Sequence, residues 1–257
     1  MRLQSRKKVM VKNKVFGGDR VLTCIPLVAR DEEVLLSQAR EICELKPDII
    51  EWRVDCFKNV SNVKSIVEGL MDLSGIIGDM PLIFTLRHHN EGGQVILTQC
   101  KRLEIINESI NTGHVDILDV EMLNGVDFIN KVKSLIIENN TKLILSYHNF
   151  NETPDEEFML DMIKKGEDLG ADIVKIAVMP KNYGDVLKLL NVTYRSRDVI
   201  NIPLISVSMG DIGMVTRMVG GLFGSDMTYA VGKKPSAPGQ IPIGDINAVL
   251  DILGCKL

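Results

Sequence analysis

Short apolar, β-branched runs recur along this chain at a fairly even interval, and most are followed by a longer stretch with helical periodicity. The eight runs are VLTCIPLVA from Val21, DIIEWRVD from Asp48, LIFTLR from Leu82, VDILDVE from Val115, KLILSYH from Lys142, DIVKIAV from Asp172, PLISVSM from Pro203 and MTYAVG from Met227. The helical stretches begin with EEVLLSQAREICEL, whose Val34, Leu35, Ala39, Ile42 and Cys43 share a face. They continue through VKSIVEGLMDL, CKRLEIINESI, VDFINKVKSLIIE, EEFMLDMIKKGEDL and GDVLKLLNV, and end with GDINAVLDIL. Near-continuous apolar strands suit a parallel sheet covered by helices. The alternation therefore predicts an α/β fold, a (β/α)8 TIM barrel, in which about 250 residues commonly form one domain. No linker or low-complexity tract divides the chain, so residues 1–257 are expected to be one barrel domain. A doubly wound open sheet is the rival, but it would want a glycine loop near its first strand, and GxGxxG and GxxxxGK[ST] are both absent. Ahead of the first barrel strand, VMVKNKVFGG predicts a short β-hairpin closing the N-terminal end of the barrel. Thr153, followed by Pro154 and acids, is the expected cap of its helix, and Gly113 and Gly170 are the expected left-handed stops of theirs.

Composition removes several function classes. The formal net charge of -4 argues against nucleic-acid binding, and no apolar run approaches the ~18 residues of a membrane span. The basic MRLQSRKK start has no apolar stretch behind it, so it is not a secretory signal. Cys24, Cys43, Cys56, Cys100 and Cys255 are odd in number and scattered without a CxxC pair, which fits reduced thiols in the cytoplasm. His88 and His89 are adjacent at a strand end, are expected to point apart, and make a poor metal pair.

Polar residues gather at the C-terminal ends of the strands, where a barrel of this kind carries its site. Alternation puts Glu51, Arg53 and Asp55 on one face of the second strand and Trp52 and Val54 on the other. Arg87 and Glu91 follow the third strand, Asp119 and Glu121 end the fourth, and Ser146 and His148 end the fifth. Arg217 follows the seventh, and the loop after the eighth holds Ser236 and Gln240. Any one of these charges alone is more simply read as part of a structural ion-pair network. The exception is Lys175, a cation in the apolar sixth strand DIVKIAV. Buried there it must be paired, neutral or facing a cavity. A neutral lysine can attack a ketone and form a Schiff base that acidifies the neighbouring carbon, and a histidine is the natural base for that proton. Arginines in the same mouth imply an anionic substrate. These residues point to a Schiff-base enzyme acting on an anionic keto compound, with aldol cleavage and β-elimination both open.

Seven strings in order resemble the type I 3-dehydroquinate dehydratase family. They are EWRVD, FTLR with EGG, SYHNF, VKIA, SMG with Arg217 downstream, FGS and SAPGQ, spanning about Val21 to Gln240. The resemblance implies dehydration of 3-dehydroquinate to 3-dehydroshikimate without metal or diffusible cofactor, in a homodimer. It implies that Lys175 is the Schiff-base lysine, His148 the general base and Glu91 the carboxylate that positions the histidine. By the same resemblance Arg217 grips the substrate carboxylate, Ser236 and Gln240 close over it, and Glu51, Arg53 and Arg87 occupy binding positions. A class I aldolase is the nearest rival in chemistry, but SYHNF in register with EGG and the absence of a glycine-rich phosphate site disfavour it. A barrel kept only for binding is the other rival, and loss of the lysine or histidine would be its mark.

Overall fold

The computed structural model describes residues 2–232 and 239–255. Two short antiparallel strands, β1 (Val9–Val11) and β2 (Lys14–Phe16), form the expected hairpin, with Lys12 at φ 49° in its turn. The barrel strands follow: β3 (Leu22–Leu27), β4 (Ile49–Arg53), β5 (Leu82–Thr85), β6 (Ile117–Glu121), β7 (Lys142–Asn149), β8 (Ile173–Val178), β9 (Leu204–Ser208) and β10 (Met227–Tyr229). Their spatial order is β10-β3-β4-β5-β6-β7-β8-β9, every neighbouring pair parallel. The remaining seam, between β9 and β10, has no regular ladder. Asp226 closes it instead, donating its N–H to the Leu204 carbonyl at 2.7 Å and accepting the Leu204 N–H on Oδ2 at 2.8 Å.

Between the strands run α1 (Glu32–Leu45), α2 (Val63–Ile77), α3 (Gln99–Ile110), α4 (Val126–Ile137), α5 (Glu156–Asp168) and α6 (Tyr183–Val199). Two short helices, α7 (Gly210–Gly213) and α8 (Val215–Val219), follow β9, and α9 (Ile243–Ile252) follows β10. Asp31, Thr98 and Asn182 cap α1, α3 and α6 by accepting an amide three residues on, contacts worth about 1 kcal/mol each. Thr153 does not cap α5. Its hydroxyl donates to the Met179 carbonyl, and Asp155 takes the capping position. Gly113 (φ 74°) and Gly170 (φ 87°) lie in the left-handed region after α3 and α5, as expected. None of the described helices is long and apolar enough to cross a membrane.

Strand alternation sorts the interior into three layers. At the bottom, Leu22, Ile49, Ile83, Ile117, Ile144, Ile173, Ile205 and Met227 pack with Val11 and Phe16 of the hairpin, which thereby plugs that end. Outward-facing residues such as Trp52, Phe84, Leu118, Leu145, Val174 and Ile176 join the helices in the main core, with Trp52 edge-on to Phe57 and Phe84. Two residues above the bottom layer the interior becomes polar, with Glu51, Thr85, Asp119, Ser146, Lys175 and Tyr229 all buried. The layer above that carries Arg53, Arg87, Glu121 and His148. A polar middle layer inside an apolar shell is stable only if its members satisfy one another.

Candidate active site

The buried lysine is paired. Lys175 Nζ donates to Asp119 Oδ2 at 2.9 Å and to the Tyr229 hydroxyl at 2.8 Å. It also lies 3.6 Å from Glu51 Oε1 and 4.7 Å from the centre of the Tyr229 ring. Asp119 is itself held by Arg87, whose Nη1 and Nη2 reach its two oxygens at 3.1 and 2.9 Å, and by the Ser146 hydroxyl at 2.6 Å. Burial alone would raise the Asp119 carboxyl, but Arg87 and then Lys175 overcome it and hold the group well below the usual carboxylate range. Arg87 Nη1 also donates to Glu121 at 2.8 Å, and Arg102 donates to the other Glu121 oxygen at 2.9 Å. This buried chain of alternating charges forms the base on which the lysine stands.

His148 sits one step higher on β7. Its Nδ1 is 2.9 Å from Glu91 Oε2, and its backbone N–H donates to that same oxygen at 2.9 Å. An oxygen already receiving one N–H offers a lone pair to the second, so the hydrogen-bond pattern assigns the proton to Nδ1 and leaves Nε2 as an acceptor. Burial, then Arg87 and Lys175, push the imidazole well below its ordinary range, so the ring is neutral at physiological pH. Burial and then Glu121 push Glu91 up to about 8. The Glu91 side chain is held in place by the EGG turn. Gly92 lies at φ 86°, where a Cβ would meet the Phe150 ring at 2.6 Å, and a Cβ on Gly93 would collide with the Arg87 carbonyl.

The Glu91 shift gives a stability prediction with a definite sign. Its folded value lies above the ordinary 4.5, so between about pH 4.5 and 8 the folded chain keeps a proton that the unfolded chain releases. Stability therefore falls as pH rises through that window, and Glu91→Gln removes the fall. The expected result is a Tm advantage of a few degrees for the variant at pH 8.5 that shrinks toward pH 5, alongside reduced turnover. Melting curves that differ by the same amount at both pH values would contradict it.

Above these groups opens a cavity of about 760 Å3. Lys175, His148, Glu91, Glu51, Arg53, Arg87, Arg217 and Gln240 all line it, so eight of the nine residues expected from sequence meet in one place. The ninth, Ser236, lies outside the described residues. Arg53 grips Asp55 through two bonds of 2.8 and 2.9 Å and reaches the Gly92 carbonyl at 3.4 Å, tying β4 to the EGG turn. Arg217 lies under Tyr229, with Nη1 3.4 Å from its carbonyl, and burial pushes the guanidinium down to about 10 against the opposing pull of Tyr229. Phe150, Ala177, Val207 and Met209 supply an apolar wall. Such a cavity suits a small, hydroxylated, anionic molecule. A second cavity of about 660 Å3 lies beside α1, but Asp31, Glu33 and Glu41 are the charged groups among its described lining residues, a poor match to an anion.

Two features differ from the sequence reading. His88 and His89 do not point apart. They lie beyond β5 in a 3-10 turn, where strand alternation no longer applies, and their rings stack at 4.7 Å. Tyr229 carries no motif signal in the sequence, although its alternation with Met227 on β10 points it inward. Asp119 was legible as a strand-end acid, but its double engagement with Arg87 and Lys175 was not. No group of three or more His, Cys, Asp or Glu side chains able to hold a metal ion occurs among the described residues.

Comparison with known proteins shows what the chain as a whole is similar to. The family model for Type I 3-dehydroquinase matches residues 23–256. The 3-dehydroquinate dehydratase of Geobacillus sp. (strain WCH70) is 39% identical over 250 residues, covering 97% of this chain and 96% of that protein. The crystal structure of 3-dehydroquinate dehydratase from Geobacillus kaustophilus HTA426 superposes with a TM-score of 0.95 at 40% identity, covering 98% of each chain. The type I enzyme from Clostridium difficile, crystallised with covalently modified comenic acid, gives a TM-score of 0.93 at 39% identity, covering 96% of this chain and 98% of that one.

Proposed function

The chain belongs to the type I 3-dehydroquinase family and is a hydro-lyase of that kind, and from that premise we propose that it dehydrates 3-dehydroquinate to 3-dehydroshikimate through a Schiff base on Lys175. The observation that carries this reading is the meeting of Lys175, the His148–Glu91 pair and the arginines in one cavity. The C. difficile relative, crystallised with covalently modified comenic acid, supports that reading.

In this mechanism Lys175 Nζ, once it has lost a proton, attacks the substrate carbonyl carbon, and loss of water from the carbinolamine leaves an iminium. The iminium draws electrons from the adjacent C–H bond, and His148 Nε2, neutral and accepting, removes that proton. The resulting enamine pushes out the hydroxyl on the next carbon, and His148 returns its proton to that oxygen so that it leaves as water from the same face. Hydrolysis of the conjugated iminium releases the enone and regenerates the amine. Glu91 holds Nδ1–H, which keeps Nε2 aimed at the substrate. Arg217 faces the substrate carboxylate, and Gln240, which lines the same cavity, holds it there as well. Arg53 and Arg87 keep the cavity positive, and Glu51 sits against the nucleophile.

The test is direct: 3-dehydroquinate mixed with the protein should produce the ultraviolet absorbance of a conjugated enone. Folded protein that binds the substrate without this signal would overturn the reading in favour of a binding module. We also propose that this single-domain, cytoplasmic enzyme is a homodimer. Tyr183, Leu187 and Tyr194 are exposed along α6, with Phe158 of α5 and Ile212 of α7 exposed as well. Their spacing of four and eleven residues puts the three α6 side chains on one face. Light scattering should give twice the monomer mass, and Leu187→Glu should shift it to monomer. A monomeric wild type would contradict the dimer.

A further inference from the structure

A lysine paired to carboxylates enters the reaction as an ammonium ion and has to lose a proton before it can attack. Three acceptors are near enough to matter. Asp119 is closest at 2.9 Å, but both its oxygens are engaged by Arg87 and one by Ser146, which leaves it the poorest proton acceptor of the set. His148 belongs to the later step and is fixed to Glu91. Glu51 differs from both. Among the described contacts its Oε1 accepts only from hydroxyls, Thr85 at 2.8 Å and Tyr229 at 3.4 Å, and no arginine hydrogen-bonds to it. At 3.6 Å from Nζ it lies beyond direct hydrogen-bond reach. The Tyr229 hydroxyl bridges that gap, accepting from Lys175 at 2.8 Å and donating to Glu51.

We propose that Tyr229 is a catalytic residue of the first step, relaying a proton from Lys175 to Glu51. This rests on the reading of Lys175 as nucleophile. As the phenol proton passes to Glu51 Oε1, one ammonium proton passes to the phenol oxygen. Ammonium and carboxylate thereby become amine and carboxylic acid, and the phenol ends unchanged. The electron pair freed on Nζ forms the bond to the substrate carbonyl carbon. The charged and titratable groups around Tyr229 are Glu51 on β4, Cys24 on β3, Asp119 on β6, Arg87 after β5, Lys175 on β8 and Arg217 on α8. Burial, followed by Glu51, Cys24 and Asp119, pushes the phenol well above its usual range, so it passes a proton on rather than staying ionised. The backbone that carries the ring is tied down by the Arg217 bond to the Tyr229 carbonyl and by the bond from the Thr228 hydroxyl to the Arg217 carbonyl.

The test is Tyr229→Phe, which keeps the ring under the ammonium and removes only the relay. In rapid-quench experiments with borohydride, formation of the substrate adduct on Lys175 should slow by roughly 10²-fold at pH 7, the low end for one proton-transfer group. KM should stay within a few-fold. The deficit should shrink toward unity by about pH 9.5, where hydroxide removes the proton instead. Glu51→Gln should show the same alkaline-restored defect with the tyrosine in place, and it carries the test should Tyr229→Phe fail to fold. Adduct formation by Tyr229→Phe at the wild-type rate at pH 7 would overturn the relay, as would a deficit that does not change with pH. Wild-type protein that makes product without any Lys175 adduct would instead overturn the nucleophile reading, and the relay with it.

Discussion

Lys175→Ala is expected to lower turnover on the order of 10⁴-fold or more while leaving the fold and substrate binding in place. The size follows from losing the covalent route, because without the iminium nothing acidifies the carbon from which His148 must take its proton. Persistence of the fold follows from the partners left behind. Removing one member of a buried ion pair commonly costs about 3–5 kcal/mol when it strands the other charge. Here Asp119 keeps both Arg87 contacts and the Ser146 hydroxyl, and Glu51 keeps Thr85 and Tyr229. Equilibrium binding should therefore stay close to wild type while borohydride leaves the variant unmodified. Activity within about tenfold of wild type would mean that the lysine is a structural cation.

His148→Ala should arrest the reaction one step later. The amine can still attack, so the imine forms and borohydride still traps it, but proton removal loses its base and turnover falls by about 10³–10⁴-fold. The truncation does little to the surrounding scaffold, because the backbone N–H of residue 148 still donates to Glu91 Oε2. The two variants differ in kind: one yields no adduct, and the other accumulates it. If His148→Ala turned over normally, the base would have to be another group in the cavity.

The barrel was legible because eight short apolar runs alternate with helical stretches, and the few polar residues inside those runs, Glu51 and Lys175 among them, stand out at the strand ends where a barrel opens. The helices are less legible where polar residues face the sheet. The run GDVLKLLNV stops short of the observed end of α6 at Val199, because Thr193 and Ser196 are buried and satisfied through hydroxyl bonds rather than apolar packing. Contacts across the barrel were the least visible. Asp119 lies beside Thr85 and Ile144 in register, and Lys175 beside Ser146 and Ile205. That Asp119 and Lys175 meet, and that Tyr229 reaches both Lys175 and Glu51, depends on barrel closure rather than on any local string. Arg87 makes the same point. It was expected at a binding position and does line the cavity, yet its donors reach Asp119, Glu121 and Ser146.

The central claim, a covalent dehydration carried by Lys175, is tested most directly by mass spectrometry of the intact protein after mixing with 3-dehydroquinate and borohydride. Peptide mapping and ultraviolet detection of product should run alongside. A single substrate-derived adduct on Lys175 together with enone absorbance is the expected result. Enone absorbance with no adduct on any lysine would contradict the claim, since the same product would then arise by a route that never bonds to the protein.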